Sequence, residues 1–323
     1  MKAIVQDHYG STDVLELGDI DRPAIADDQV RVRVHAAGVD RGVWHLMTGL
    51  PYPIRVAGYG LRAPKSATLG RELAGVVDAV GDRVTAFAPG DEVFGIGEGA
   101  YAAYAVAAEA KLALKPATLT FEQAACLGVS ALTALQAVRD HGGVQPGHKV
   151  LVVGASGGVG SFAVQIAKAY GAEVTGVCST SKVDLVRSLG ADHVIDYTLA
   201  DFADGRGGYD VVIDIGGNAS LTRLRRALSR TGTLVIVGGE TGGRVLGGFE
   251  RGLRAMALSP FIAPTLKTMV CSENSRDLVA LAGLAESGQV TPAIERAYPL
   301  AQVPDAIRHM ADGRARGKVV ISL

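Results

Sequence analysis

The chain has few cysteines, few aromatic side chains, no excess charge of either sign and no long apolar run. Its three cysteines, Cys126, Cys178 and Cys271, are too scattered for a disulfide framework or a clustered zinc site. Lys and Arg total 32 against 33 Asp and Glu, which predicts no nucleic-acid or membrane partner. No stretch reaches the roughly 18 consecutive apolar residues of a membrane span. Asp7 stands where a signal peptide needs its apolar core, so we expect a cytoplasmic protein.

Glycine is over-represented: it fills 42 of 323 positions, about 13% and nearly twice the average usage. It follows no collagen-like period, so we expect it in turns and at close backbone approaches. The chain length suits roughly two domains.

The first 120 residues predict strands and loops. Valine alternates with polar residues over 30–34, which is the pattern of a half-buried strand, and β-type runs follow at 75–80 and 91–96. Regular alternation of strands and helices is absent here, so a compact antiparallel or mixed β domain is expected. A helical pattern then covers 121–137.

From Lys149 onward strands alternate with helices. This alternation favours a doubly wound parallel sheet with helices on both faces. The predicted strands are 150–153, 173–178, 193–195, 210–215 and 233–237. We therefore predict a first domain over residues 1–120, completed by about 264–323, and a nucleotide-binding domain over 121–263.

A glycine-rich turn, Ala155-Ser156-Gly157-Gly158-Val159-Gly160, lies between the first of these strands and its helix. It matches the dinucleotide fingerprint G-x-G-x-x-G, with Ala155 in place of the first glycine. Gly157 would let the backbone approach a pyrophosphate, and Gly160 would let the helix pack closely on the sheet. The helix N-terminus would supply N–H groups to the phosphates. The alternative is a purely structural turn.

The end of the second predicted strand indicates which nicotinamide cofactor binds. A carboxylate there would bind the ribose 2′-hydroxyl of NADH. The sequence instead has Cys178-Ser179-Thr180-Ser181-Lys182, with no acid before Asp184. Hydroxyls and a cation suit a 2′-phosphate, which favours NADPH. The alternative is that Lys182 is only a surface residue at the start of a helix.

Three further segments carry a resemblance. They are Gly70-Arg71-Glu72-Leu73-Ala74-Gly75-Val76-Val77-Asp78-Ala79-Val80-Gly81, Ser130-Ala131-Leu132-Thr133-Ala134-Leu135 and Ala315-Arg316-Gly317-Lys318-Val319-Val320. Together with the glycine turn, the chain resembles the medium-chain dehydrogenase/reductase superfamily, in its quinone oxidoreductase-like branch. The resemblance implies a GroES-like mixed β catalytic domain and a Rossmann nucleotide-binding domain with a doubly wound parallel sheet.

The sequence departs from the zinc enzymes of that superfamily. Arg71 stands where those enzymes have a metal-ligating histidine, and Gly38-Val39-Asp40 lacks their cysteine. An arginine cannot be deprotonated to bind zinc. We therefore expect no metal site and a zinc-independent transfer of hydride from NADPH to a quinone or an α,β-unsaturated carbonyl. The alternatives are an alcohol or aldehyde dehydrogenase, and a non-catalytic NADPH-binding protein that is crystallin-like or sensing.

The resemblance also implies site residues, although it identifies no catalytic acid or base. The implied cofactor contacts are Ser156, Gly158 and Val159 at the pyrophosphate, beside Gly157; Ser179, Lys182 and Tyr197 at the 2′-phosphate; Gly238 and Gly239 at the nicotinamide half; and Thr133 and Arg316 near the cofactor. The alternative for Tyr197 is a strand-end aromatic, and for Gly238 and Gly239 it is a simple turn.

The acceptor pocket and the assembly are less defined by the sequence. Trp44 and Tyr52 could stack on a flat acceptor, although a structural tryptophan is an equal alternative. Relatives commonly pair as homodimers through sheet edges, and 265–271 has the pattern of such an edge strand. The Gly- and Arg-rich segment 242–254 has no assignable chemistry.

Overall fold

The computed structural model of the chain describes residues 1–205, 208–239 and 243–323. Contacts among these residues divide it into two compact units. The first comprises Met1–Leu132, Glu273–Gly288 and Pro292–Leu323, and the second comprises Thr133–Ser272 and Gln289–Thr291. The domain limits expected from the sequence, at residues 120 and 263, differ from the limits of these contact-based units and remain a prediction. Gly242, the first residue of the Gly- and Arg-rich segment, lies outside the described residues.

The described residues form strands and helices as follows. The strands are β1 (Lys2–Val5), β2 (Glu16–Asp19), β3 (Gln29–Val39), β4 (Glu72–Val80), β5 (Glu92–Ile96), β6 (Tyr104–Ala108), β7 (Leu112–Leu114), β8 (Lys149–Val153), β9 (Glu173–Cys178), β10 (His193–Asp196), β11 (Tyr209–Asp214), β12 (Leu228–Ile236), β13 (Thr265–Thr268), β14 (Ile294–Pro299) and β15 (Lys318–Ser322). The α-helices are α1 (Arg41–Thr48), α2 (Phe121–Ala125), α3 (Leu132–Gln136), α4 (Gly158–Ala169), α5 (Val183–Ser188), α6 (Leu221–Ala227), α7 (Phe249–Leu258), α8 (Ser275–Glu286) and α9 (Val303–Ala311). Short 3₁₀ or π-helical turns lie at Thr12–Val14, Arg55–Tyr59, Glu109–Lys111, Leu127–Ala131, Ala137–His141, Thr180–Lys182, Ser259–Phe261 and Leu300–Gln302.

The first unit is built on a mixed sheet. Its strand order is β14-β15-β3-β4-β5-β7, and β6 pairs with β3. Only β14 and β15 pair in parallel among these strands of the described chain. Val30, Val32 and Val34 of β3 are buried in the core of this unit, as the alternating pattern predicts. The expected mixed β architecture is confirmed.

The second unit is built on a six-stranded parallel sheet. Its strand order is β10-β9-β8-β11-β12-β13, which is the order of doubly wound dinucleotide-binding folds. The strands are short runs of buried apolar residues such as Leu151, Val212 and Leu234. The predicted doubly wound sheet is confirmed. The strand expected at 265–271 is shorter, since β13 ends at Thr268, and it lies at the edge of the sheet.

The helical pattern predicted over 121–137 is confirmed for most of this segment, but the helix is interrupted. α2 ends at Ala125, and Gly128 adopts non-helical angles of φ −59° and ψ −106°. A Cβ at Gly128 would lie 3.0 Å from the carbonyl oxygen of Gly95 and 3.1 Å from Cγ of Glu72. A side chain at Gly128 would therefore be tight against β4 and β5, so a glycine suits the close approach of this segment to the sheet. Apolar periodicity alone does not carry that information.

Candidate functional site

The glycine-rich turn joins β8 to α4. α4 begins at Gly158, and Gly157 precedes it with extended angles and no side-chain cap on the helix N-terminus. A Cβ at Gly160 would lie 2.0 Å from the carbonyl oxygen of Gly154, so the helix packs on the turn as closely as predicted. At Gly157 the nearest atom to such a Cβ is 3.6 Å away. The turn therefore leaves space at Gly157 beside the N–H groups of a helix N-terminus, which suits a pyrophosphate.

Gly154, directly before this turn, was not identified from the sequence. Gly154 has a φ of 89°, and a Cβ on it would lie 2.8 Å from the backbone nitrogen of Gly216. Ser156 is buried within the turn, and Val159 lies in the first turn of α4. The position of Gly154 directly before the fingerprint is the signal that could have identified this glycine. It holds the ends of β8 and β11 against each other.

Three of the predicted residues meet at the carboxyl edge of β9 and β10. The register pairs Asp196 with Cys178, so Ser179 and Tyr197 follow at adjacent strand ends. The N–H of Tyr197 donates to the carbonyl of Cys178 at 3.1 Å, and the N–H of Lys182 donates to that of Ser179 at 2.9 Å. Tyr197 is 58% exposed. The fold therefore gathers two hydroxyls and a lysine at this edge.

An acid also lies at this edge, at the end of β10 rather than β9. The Asp196 carboxylate accepts from the N–H of Thr198 at 2.9 Å and from its hydroxyl at 2.7 Å. The hydroxyl of Thr180, followed by Thr198, lowers the pKa of Asp196 below its ordinary value. The carboxylate is thus held by neighbouring threonines, one of which belongs to the segment after β9.

The predicted nicotinamide-side glycines follow β12. Arg251, on α7, donates from Nη2 to the carbonyl oxygen of Gly238 at 2.6 Å and pairs with the buried carboxylate of Asp214 at 2.6 Å. A Cβ at Gly239 would lie 2.9 Å from Cα of Gly248. Arg251 therefore ties the ends of β11 and β12 to α7. No sequence motif identified this arginine, because it lies in the segment that had no assignable chemistry.

The remaining predicted cofactor residues lie in different units. Thr133 lies half-buried on α3 in the second unit. Arg316 is exposed in the first unit, where its N–H donates to Oε2 of Glu295 at 2.9 Å. Their roles toward a cofactor stay predictions.

The two aromatic candidates for the acceptor pocket both lie in the first unit. Trp44 lies half-buried against the core, with the guanidinium of Arg41 5.5 Å from its ring centre. Tyr52 is exposed, and the guanidinium of Arg55 lies 5.1 Å from its ring. The packing of Trp44 against the core supports a structural role, whereas the exposed ring of Tyr52 is accessible to a ligand.

Arg71 stands where the zinc enzymes of the superfamily have a metal-ligating histidine, and it is held by an ion pair. Its guanidinium pairs with Glu273, whose other oxygen accepts from Nζ of Lys111 at 2.8 Å. Burial opposes the charged form of Arg71, but the carboxylates of Glu273 and Asp40, with Tyr59, together outweigh it and raise the pKa of Arg71. Among the described residues, no group of three or more His, Cys, Asp or Glu could hold a metal ion. A guanidinium cation among these groups does not suit a zinc ion.

The three segments that carry the resemblance meet in a buried cluster. Nζ of Lys318 pairs with the carboxylate of Glu72 and donates to Oγ of Ser130 at 2.8 Å and to the carbonyl of Val39 at 3.2 Å. The N–H of Ser130 donates to Glu72 at 2.8 Å. A Cβ at Gly38 would lie 2.0 Å from Oε2 of Glu72. Both charged side chains are fully buried, so this cluster holds the first unit together rather than meeting a ligand.

The comparisons with known proteins cover the whole chain. A sequence model of the alcohol dehydrogenase GroES-like domain matches residues 26–117, and one described as zinc-binding dehydrogenase matches residues 189–321. Human quinone oxidoreductase is 34% identical over 336 residues, covering 100% of this chain and 98% of that protein. The 2-methylene-furan-3-one reductase of Solanum lycopersicum is 34% identical over 337 residues, covering 99% of this chain and 79% of that protein.

The solved structures agree with the sequence comparisons. The quinone oxidoreductase of Escherichia coli, solved in complex with NADPH, has a TM-score of 0.85 and 25% identity, and each chain is covered over 100% of its length. Within the described part of the chain, no helix combines the length and the apolar character that a membrane span requires. The chain therefore belongs to the medium-chain dehydrogenase/reductase superfamily, in its quinone oxidoreductase-like branch, and is an oxidoreductase.

Proposed function

We propose that this oxidoreductase transfers a hydride from NADPH to a quinone or an α,β-unsaturated carbonyl and needs no zinc ion. The observation that carries the proposal is the edge where Ser179, Lys182 and Tyr197 meet, with no carboxylate at the end of β9. A lysine and two hydroxyls match the charge and the acceptor oxygens of a 2′-phosphate. The human quinone oxidoreductase, the tomato 2-methylene-furan-3-one reductase and the NADPH-bound E. coli structure support this choice.

The rest of the second unit would hold the remainder of the cofactor. Ser156–Val159, at the N-terminus of α4, would bind the pyrophosphate through backbone N–H groups. Gly238 and Gly239, fixed by Arg251, would contact the nicotinamide half, with Thr133 and Arg316 as further contacts. When bound, NADPH supplies the hydride, and the protein contributes binding, orientation and exclusion of water.

The chemistry of Arg71, at the position of a zinc ligand in related enzymes, supports zinc independence. Arg71 carries a permanent charge and is paired with Glu273, so this position offers no lone pair to a metal. Quinones and enones are already activated toward hydride and do not require a Lewis acid as an alcohol does. Trp44 and Tyr52 remain the proposed aromatic surfaces for the acceptor. Activity that survives a chelator, in protein containing no stoichiometric zinc, is the expected result.

The cofactor proposal is tested by removing one charge. Replacing Lys182 by alanine should weaken NADPH binding roughly 10- to 150-fold, because a charge-assisted hydrogen bond contributes about 1.5–3 kcal/mol. NADH binding should barely change, since NADH lacks the phosphate. Ser179→Asp should favour NADH further, by repelling the phosphate and accepting from the ribose hydroxyls. The measurement is kcat/KM for NADPH relative to NADH at fixed salt concentration.

Lys149→Ala is the matched control. Lys149 begins β8 and therefore lies at the amino edge of the same sheet, opposite the proposed phosphate site. Its removal changes the net charge equally but should leave the cofactor ratio unchanged. If both alanine variants shift the ratio alike, or if neither does, Lys182 does not bind the phosphate.

We also propose a cytoplasmic homodimer in which β13 pairs with β13 of a second copy. The position of β13 at the sheet edge supports this pairing, because an edge strand leaves backbone groups available to another strand. Fractionation of cells expressing the chain would test its location.

A further inference from the structure

A cavity of about 350 Å³ opens in the first unit, outside the residues so far assigned to a ligand. Leu46, Leu69 and Ile96 give it apolar walls. Its volume lies at the lower end of the range for small-molecule sites, which usually combine apolar walls with a few polar or charged groups. The charged side chains of the lining therefore indicate which kind of molecule fits.

The charges that line this cavity are unequal in sign. Three side chains are cations, Lys65, Arg71 and Lys111, and one is a carboxylate, Glu98. The whole chain, in contrast, has 32 Lys and Arg against 33 Asp and Glu. A concave surface lined mainly by one sign of charge raises the local concentration of the opposite ion. The cavity therefore favours an anion.

Two of the three cations are fixed by one carboxylate. Glu273 accepts from Nη2 of Arg71 and, at 2.8 Å, from Nζ of Lys111. Glu273 does not line the cavity, so it holds both cations without occupying the space. The Asp40 carboxylate, which also contributes to the charge around Arg71, is buried and caps α1 through Oδ1. It does not line the cavity either.

The guanidinium of Arg71 retains donors for a ligand. It has five N–H donors, and its side chain bonds to Glu273 through Nη2. Within the described part of the chain, Nε and Nη1 have no hydrogen-bond partner, and neither is fully buried. The backbone of Arg71 is fixed, because its carbonyl accepts from the N–H of Gly97 at 2.8 Å. A positioned cation with free N–H groups suits a charge-assisted hydrogen bond to a carboxylate oxygen.

We propose that this cavity binds a small molecule with one carboxylate and an apolar body. The carboxylate accepts from Arg71, Lys65 and Lys111 add attraction, and the apolar body contacts the walls. One negative charge fits better than two, because Glu273 already shares two of the cations and Glu98 lines the cavity. This site goes beyond the proposed hydride transfer and does not depend on it.

The experiment measures binding by calorimetry without NADPH, so that no turnover occurs. The probes are 3-benzoylpropionate, which has one carboxylate and a phenyl ring, and 3-benzoylpropionamide, which has nearly the same shape and no charge. The wild type should bind the acid at least about 10-fold more tightly than the amide. Sulfate, a dianion without an apolar body, should not displace the acid at equal concentration.

Three variants assign the preference to the cavity. Arg71→Gln removes the charge but keeps a donor for Glu273, so it should weaken the acid about 10-fold or more and the amide less than about 2-fold. Lys65→Met removes an exposed cation and should weaken the acid about 2- to 5-fold. Arg62→Met is the matched control. Arg62 is exposed in the same segment but does not line the cavity, so both affinities should stay unchanged.

Several results would overturn this inference. They are equal affinities of the wild type for acid and amide, no binding of the acid, displacement of the acid by sulfate, and an unchanged affinity ratio in Arg71→Gln. An effect of Arg62→Met as large as that of Lys65→Met would also overturn it, because the attraction would then come from the surface in general. If circular dichroism shows that Arg71→Gln does not fold, the two probes on the wild type and on Lys65→Met still decide.

Discussion

Two lysines, one in each unit, lie in different surroundings. The first unit buries an ion pair completely, Lys318 with Glu72, and satisfies the remaining bonds with Ser130 and Val39. In the second unit Lys182, at the predicted cofactor edge, is partly exposed and ends the short helical turn that follows β9. A buried charge must be paired because its desolvation is costly, whereas an exposed one can be offered to a ligand. A lysine thus stabilises the fold in the first unit, and we propose that a lysine recognises the cofactor in the second.

The largest expected effect comes from breaking the buried pair. Lys318→Met leaves the Glu72 carboxylate buried without its cation, so the free energy of unfolding should fall by about 3–5 kcal/mol. Burial already raises the pKa of Glu72, and loss of the ammonium would raise it further. Unfolding by urea measures the change.

Two further variants show whether this cost comes from the unpaired charge. The double variant Lys318→Met with Glu72→Gln should recover much of the loss, because no charge then remains buried. Lys2→Met removes a cation from the exposed pair with Asp19 and should not change stability measurably. Equal stabilities of Lys318→Met and Lys2→Met would contradict the contrast between buried and exposed charges.

The sequence could predict the elements of both units but not this cluster. Alternating valines in β3 and the short apolar runs of the parallel sheet are local patterns, and the strands followed from them. The pairing of Glu72 with Lys318 joins residues 246 positions apart, and no local period indicates it. The same holds for Arg251, whose importance depends on what packs around it. Motif residues at the glycine turn could be predicted, because their spacing reflects a single local geometry.

The next prediction concerns two glycines of the glycine-rich turn, one expected to affect stability and the other cofactor binding. Gly160→Ala places a methyl group 2.0 Å from the carbonyl oxygen of Gly154, so it should cost about 1–3 kcal/mol of stability. Gly157→Ala meets nothing closer than 3.6 Å and keeps allowed angles, so its stability should stay within about 0.5 kcal/mol of wild type. The methyl at Gly157 would instead obstruct the pyrophosphate and weaken NADPH at least about 10-fold. Thermal unfolding and cofactor titration on both variants give the comparison.

The two glycines also provide each other's control. If Gly160→Ala retains wild-type stability, the close approach of α4 to the turn is not required. A Gly157→Ala variant that binds NADPH normally would place the pyrophosphate away from this turn.

The smallest expected effect concerns the exposed apolar face of α7 in the second unit. Phe249, Leu253 and Met256 recur at helical spacing and are 57%, 55% and 45% exposed. Gly252, which lies beside this face at helical spacing, packs against Thr268 of β13, where a Cβ would meet its hydroxyl at 2.9 Å. The apolar face of α7 therefore adjoins the edge strand proposed to pair in a homodimer, and a second copy would cover both.

Phe249→Gln should weaken this pairing without unfolding the protein. A single interface side chain typically contributes about 1 kcal/mol, which corresponds to a roughly 5-fold higher dissociation constant. Val279→Gln, at a 59% exposed position on α8 of the first unit, is the matched control and should leave the constant unchanged. Sedimentation equilibrium over a dilution series measures both. A wild-type chain that is monomeric at micromolar concentration, or variants with equal constants, would mean that the apolar face of α7 has another occupant.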